Sequence, residues 1–248
     1  MTATAARSHA NADSQKAGGV AALYLAFALV AAIPYFLVVV DYPGATTAAD
    51  KVGLIVGHFP SMYVMYLLTY VVFGIAVGVL ALTLRERLRS DAQTTVRIAT
   101  AVGLMWAVVL VASGLIFTYG MTTINDLAST DPANAVVTWR AVETVALALG
   151  GAGGELLGGL WVLLISAVVT RGDRLPRRLG WLGLVTGVVG IASVVPPLND
   201  ATVAFGLLQI VWFAWLGGIL VATTPTVLAD DLSTPIGEDD VQLTETAR

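Results

Sequence analysis

Residues 141–169 read AVETVALALGGAGGELLGGLWVLLISAVV, and within that run only Glu143 and Glu155 carry a charge. A helix of this length at a water boundary would keep one polar face, and this run has none. Lipid is the solvent that suits it. A bilayer core about 30 Å thick is crossed by about 20 mostly apolar residues, because a helix satisfies its own backbone where no water reaches. The run therefore reads as a membrane-spanning helix with residues to spare. Five further runs of the same character lie at 18–40, 61–84, 98–120, 179–195 and 203–222, the fifth in chain order being short. The 248 residues are 57% hydrophobic and 12% charged, against roughly 25% charged in an ordinary soluble domain. Mean hydropathy is +0.82. So few charges cannot cover so much apolar surface in water. Cysteine is absent. Together these exclude a soluble enzyme, a disordered chain, a disulfide scaffold and a thiolate metal site. The reading is an all-α polytopic membrane bundle of six transmembrane helices.

The charges orient it. Arg85, Arg87, Arg89 and Arg97 lie between the second and third spans, and Arg171, Arg174, Arg177 and Arg178 between the fourth and fifth. With Arg7, Lys16 and Arg248 in the tails, one side holds eleven of the thirteen basic residues and the other only Lys51 and Arg140. By the positive-inside rule both termini are expected in the cytoplasm. This loop-bound arginine pattern is explained by topology, so no nucleic-acid partner is expected. The first span is too long for a signal-peptide core and lacks a small-x-small cleavage site, so it is expected to stay. Residues 1–17 and 223–248 lack an apolar period and are expected to be disordered tails, the second one acidic, flanking a membrane domain at 18–222. Residues 48–57 are expected to form a short interfacial helix. Asp131-Pro132 has the sequence of an N-cap followed by proline at the first helical position, which would start a helix running into the fourth span. Asp200 is expected to cap the last span.

Small residues recur at helical spacing, as in Gly180, Gly183, Gly187 and Gly190. Such stripes let helix backbones approach closely in lipid, and packing within the chain is the expected use. Four glycines among residues 150–154 lower helix propensity locally, so a kink or unwound turn is expected there.

Few groups are left to carry chemistry. Glu155 lies in the middle of the fourth apolar run, where an ionisable group is costly and suggests a proton-coupling or ligand-contacting role; structural hydrogen bonding between helices is the plain alternative. Gln209 is its first expected partner, followed by Thr186 and Thr69. Arg140 and Glu143 are three residues apart on one helix and can pair, with Trp139 as an interfacial anchor. Arg140 alternatively suits an anion at the mouth of a cavity. His58 stands where the second span begins, and the other histidine, His9, is in the tail. That leaves no set for haem or a three-histidine zinc site, and no cofactor is expected.

Two segments carry a family resemblance. Ala17-Gly18-Gly19-Val20-Ala21-Ala22-Leu23-Tyr24-Leu25 and Gly172-Asp173-Arg174-Leu175-Pro176-Arg177-Arg178-Leu179-Gly180-Trp181-Leu182-Gly183 resemble the opening of span one and the loop into span five of bacterial six-span proteins of the domain of unknown function 4386 family. The resemblance implies a six-helix bundle in a bacterial cell membrane and brings no catalytic residues with it. Three functions remain in view. One is a small transporter or a bundle binding a hydrophobic or lipidic ligand in a cavity near Glu155. Another is a non-catalytic subunit or regulator with a protein or lipid partner. The weakest is an intramembrane enzyme, because acid–base chemistry needs a second positioned group beside Glu155.

Overall fold

The computed structural model describes residues 3–89, 92–198 and 200–223, and every regular element among them is helical. Helix α1 (Ala3–Pro34) ends in a π-helical turn, Tyr35–Val39. Helix α2 (Ala48–Gly57) follows and then α3 (Phe59–Tyr66), which passes through a π segment, Leu67–Val72, into α4 (Phe73–Leu88). Helix α5 spans Gln93–Thr130. Helix α6 (Pro132–Ala146) passes through a third π segment, Leu147–Ala152, into α7 (Gly153–Arg171). Helices α8 (Arg177–Ser193) and α9 (Ala201–Ala222) complete the chain.

Among the described residues, five continuous helices are long and apolar enough to cross a membrane: Asp13–Val39, Phe59–Leu88, Gln93–Thr130, Pro132–Arg171 and Ala201–Ala222. The chain is thus a helical membrane bundle. The run expected as a fifth span is α8, whose 17 residues reach only about 26 Å at 1.5 Å per residue. It nevertheless completes a closed ring in which α1 packs on α4, α4 on α5, α5 on α7, α7 on α8, α8 on α9 and α9 on α1. The core of that ring is aromatic: Trp106, Trp161, Trp212, Phe213 and Phe73 lie edge to face or tilted, at centroid distances of 5.3–6.3 Å.

Glycines set the tightest wall. A Cβ at Gly187 would lie 2.7 Å from the Gly159 carbonyl oxygen, and one at Gly159 would lie 3.0 Å from that of Gly187. The stripe on α8 is therefore spent within the chain, Gly180 and Gly187 against α7, Gly183 against Ser166 of α7 and Trp212 of α9, and Gly190 against Phe205 of α9.

The 38 residues of α5 and the 40 of the α6–α7 run extend about 57 and 60 Å, well past a bilayer core. They rise together as a hairpin, and α2 packs against both. Asp131 caps α6 by accepting from the Asn134 amide, with Pro132 next in line. Thr47 and Asp50 form a reciprocal capping box on α2. Trp139 is not an interfacial anchor: it is fully buried, tilted 6.0 Å from Phe117, because the projecting hairpin has its own core of Ile55, Met62, Met121 and Ile124. Asp200 stands at the start of α9 without a side-chain capping bond. Residues 3–17, expected as a disordered tail, belong to α1; Ala3, Ala5, Ala6, Ala10 and Ala12 supply strong helix propensity where no apolar period is needed. The expectation for the acidic tail falls on 224–248, outside the described residues.

Candidate functional site

A cavity of about 270 Å³ lies inside the ring. Leu29, Ala32 and Phe36 reach it from α1, Thr69, Tyr70 and Phe73 from the second long helix, Trp106 and Leu110 from α5. Gly150, Gly154 and Glu155 complete it from the α6–α7 run, with Thr202, Phe205, Gly206 and Gln209 from α9. All three π segments contribute to its wall or border it: Phe36, Tyr70 and Gly150 each lie within one. A π turn adds a residue to the helical turn and widens it, a distortion found often where helices form sites. The expected distortion near residues 150–154 is thus present as a widened turn, Leu147–Ala152, whose flanking residues keep right-handed helical angles. The Ser113 hydroxyl donates to the Ala146 carbonyl at its start, 2.8 Å, and the Tyr24 hydroxyl donates to the Leu68 carbonyl inside the second π segment, 2.8 Å. Gly150 is needed here for close approach: a Cβ would stand 2.7 Å from the Tyr70 ring.

Glu155 is partly buried, and its Oε2 accepts from Ser193 Oγ at 3.0 Å and Thr202 Oγ1 at 3.2 Å. Its partners come from other helices as expected, but they are not Gln209, Thr186 or Thr69. Thr186 instead donates to the Leu182 carbonyl and Thr69 to that of Met65, each within its own helix. The reason is depth. Ser193 ends α8 and Thr202 opens α9, so Glu155 sits at the level of the α8–α9 turn, off the middle of the bundle. That is 16 residues from Arg171, about 24 Å along the helix. Sequence reasoning missed both hydroxyls. The signal was available: Glu155 and Ser193 each lie 16 residues from an end of the arginine-bearing α7–α8 connection, so an α-hairpin places them at one height.

Gln209 lines the same cavity, and the hydrogen bonds of Glu155 go to Ser193 and Thr202 instead. Gln209 Nε2 and the Trp106 indole Nε1 are buried donors with no partner among the described residues; the residues are 4% and 3% exposed. An unmade hydrogen bond on a buried donor costs about 1–3 kcal/mol; the indole Nε1 atoms of Trp139, Trp161 and Trp212, outside the lining of this cavity, are likewise buried without a partner among the described residues.

The remaining candidates lie elsewhere. Glu143 does not pair with Arg140. It holds Lys51 in an ion pair and accepts from the Tyr42 hydroxyl at 2.7 Å. Helix α2 brings Lys51 to the inner side of α6, while Arg140 is exposed on another face and makes no ion pair among the described residues. Burial, and the Glu143 carboxylate beside it, push the Tyr42 hydroxyl far above the ordinary tyrosine range. Between this cluster and the cavity stand Phe36, Tyr66 and Tyr70, the two tyrosine rings stacked at 5.7 Å. His58 sits at the α2–α3 junction with Nδ1 3.3 Å from the Leu54 carbonyl, a contact made by the Nδ1-protonated tautomer.

No curated protein and no solved structure matches the chain. One family profile does, over residues 20–223, from the first residues of the apolar part of α1 to the end of α9. That stretch holds the whole ring and every residue of the cavity, and the chain belongs to the family described as Domain of unknown function (DUF4386).

Proposed function

We propose that the chain is a small carrier or ligand-binding bundle of a bacterial cell membrane, and that its ligand occupies the cavity beside Glu155. The observation that carries this is the pair of buried, unpartnered donors, Gln209 Nε2 and Trp106 Nε1, in a wall otherwise built from Leu29, Phe36, Phe73, Leu110 and Phe205. A ligand that fits presents a carbonyl or ether oxygen to these donors, a hydroxyl or amine to Glu155, and apolar surface to the rest. A dry, fully packed core would have supported a purely structural subunit instead. The way in is between α1 and α9. These helices touch tightly near the arginine-rich end, where a Cβ at Gly217 would lie 2.9 Å from the Leu23 amide nitrogen, whereas Gly206, on the cavity, has nothing within 4 Å.

The proposed topology has six crossings and both ends of the chain in the cytoplasm. Supporting it, the start of α1 and the end of α9 meet at the arginine-rich end, where Gln15 Nε2 donates to the Leu220 carbonyl at 3.1 Å. Packing of α8 between α7 and α9 supports the sixth crossing; in this topology its 17 residues would leave the α8–α9 turn, with Glu155, near the outer boundary of the hydrocarbon. A proton-coupling role for Glu155 belongs to the same proposal, and the hydroxyls of Ser193 and Thr202, both on its Oε2, support it as a group held in place by neighbouring helices.

Native mass spectrometry of the purified protein tests the reading. A retained small molecule is expected in the parent, weakened by Gln209→Leu, and bound without pH dependence in Glu155→Gln. Identical spectra from parent and Gln209→Leu, with no added mass in either, would refute it.

A further inference from the structure

On the side away from the arginine-rich end, the cavity beside Glu155 is covered by a layer of side chains. Phe36 and Tyr70 line the cavity and also pack against the second apolar core, which holds Val52 and Ile55 of α2 with Tyr66, Phe117 and Trp139. Helix α2 forms the outside of that layer. Val52 and Ile55 are buried, while Gly53, Val56 and Gly57 on its other face are exposed. We propose that α2 is a hinged lid over the cavity, latched shut by the Lys51–Glu143 ion pair. The inference deepens the functional reading above and rests on the cavity being a site.

Three features make α2 a separable piece. The first is that it caps itself. Thr47 accepts from the Asp50 amide and Asp50 from the Thr47 amide, so its first turn needs no partner from the rest of the chain. The second is a backbone break at each end. Before α2, Asp41 holds φ 50° and ψ 48° ahead of the short turn Tyr42–Gly44, a left-handed conformation uncommon outside glycine. After it, His58 leaves helical angles at φ −122° and ψ 22°, and Pro60 brings no backbone N–H to the next turn. Hinges are a few such positions that absorb a change in φ and ψ. The third is the latch. The α7–α8 seam is closed by backbone atoms in close approach, whereas α2 is held at its polar edge by one carboxylate. Glu143 of α6 pairs with Lys51 and accepts from the Tyr42 hydroxyl at 2.7 Å, and the Lys51 ammonium stands 5.2 Å from the centre of the Tyr42 ring. Tyr42 belongs to the turn before α2, so the same group pins the lid and its hinge. The Lys51 and Glu143 side chains are only 24% and 15% exposed. A buried charge that loses its partner is costly, so breaking the pair favours an open lid in which water solvates the charge left behind.

The test uses the full chain in a neutral detergent, whose tails cover the α1–α9 face. Leu110→Cys places a thiol on a buried residue of the cavity wall in a chain with no native cysteine. Its reaction with a positively charged, water-soluble methanethiosulfonate is timed against Thr130→Cys, an exposed position at the end of α5. The cavity thiol is expected to react slowly in the otherwise native chain and at least tenfold faster with Glu143→Gln or Lys51→Met. Lys51→Arg keeps the pair and should stay slow, as should the exchanged pair Lys51→Glu with Glu143→Lys. A disulfide formed beforehand between cysteines at positions 51 and 143 should hold the rate at its native value. Equal rates in the native background, Glu143→Gln and Lys51→Met overturn the proposal. So does an acceleration that neither the exchanged pair nor the disulfide reverses. Absence of a retained small molecule in mass spectrometry would refute the reading of the site and leave this order of rates untouched.

Discussion

Replacing Gly187 by alanine tests the wall on which the bundle depends. The added Cβ would stand 2.7 Å from the Gly159 carbonyl oxygen and 2.8 Å from the Leu163 amide nitrogen, both backbone atoms of α7 that cannot rotate away. Comfortable separations start near 3.4 Å, so α7 and α8 must part by roughly 0.7 Å along their closest line. Overpacking of this kind costs about 1–3 kcal/mol. At about 2–4 °C per kcal/mol for a chain of this size, the unfolding midpoint in detergent should fall by roughly 2–12 °C. Gly218→Ala is the matched control. It also lies inside a helix, but its Cβ would meet nothing within 4 Å, so removing a glycine there should raise stability by about 0.5–1 kcal/mol. Gly159→Ala, facing the same seam at 2.9 Å from the Ile191 amide nitrogen, should add less to Gly187→Ala than it costs alone, since the helices have already parted. Gly187→Ala and Gly218→Ala moving the midpoint in the same direction would refute the close-approach argument.

Glu143→Leu strips Lys51 and Tyr42 of their shared acceptor and should cost about 1–3 kcal/mol, less if water reaches Lys51, while Arg140→Gln should stay within about 0.5 kcal/mol of the parent in thermal unfolding. Bonds from the Thr47 hydroxyl and amide hold the Asp50 carboxyl below its usual range, so its contribution to α2 is present above the ordinary aspartate value of about 3.9 and is lost as pH falls through the lower folded value. Amide exchange in α2 should accelerate on that acid side, and Asp50→Asn should abolish the dependence. Deleting Ala148 should turn the π segment Leu147–Ala152 into regular α-helix and rotate α6 against α7 by about 100°. With no native cysteine to interfere, a disulfide between cysteines placed at Lys51 and Glu143 should form in the parent and fail in the deletion, whereas one between positions 155 and 193 should form in both. The opposite pattern would show that α6, not α7, is the fixed partner.

Periodicity and charge made much of the fold legible. Apolar runs revealed the long helices, because lipid leaves a helix no polar face to hide. The capping chemistry of Asp131 and Pro132 is local, so the start of α6 was legible to within a residue, and the bounds 48–57 read for a short helix are those of α2. The site was less so. Glu155 stood out because charge is rare in such a run, and Gln209 because an amide is. Their actual relation depends on height along the bundle, which follows from where each helix leaves the arginine-rich end. Counting from the middle of an apolar run put Glu155 too deep and paired it with the wrong helix turn. Trp106 was unreadable as a site residue, since an indole inside an apolar helix looks the same whether its N–H is met or orphaned. Lys51 was equally hidden: its partner lies 92 residues away on a helix that projects beyond the bilayer.

The three widened turns account for the cavity beside Glu155. Regular helices closed by glycine seams, as in α7 against α8, leave little space between them. A π turn pushes one turn of backbone outward, and here three of them, in α1, in the helix through Tyr70 and in the helix through Gly150, occur near one level. Each is tied to another helix or flanked by aromatic rings: Ser113 secures the third, Tyr24 the second, and Tyr35 and Phe36 pack edge to face at 5.2 Å within the first. Hydroxyl groups are costly in lipid unless they find acceptors, and a widened turn frees carbonyls from the regular ladder, so the Ser113 and Tyr24 hydroxyls are satisfied where those turns supply one.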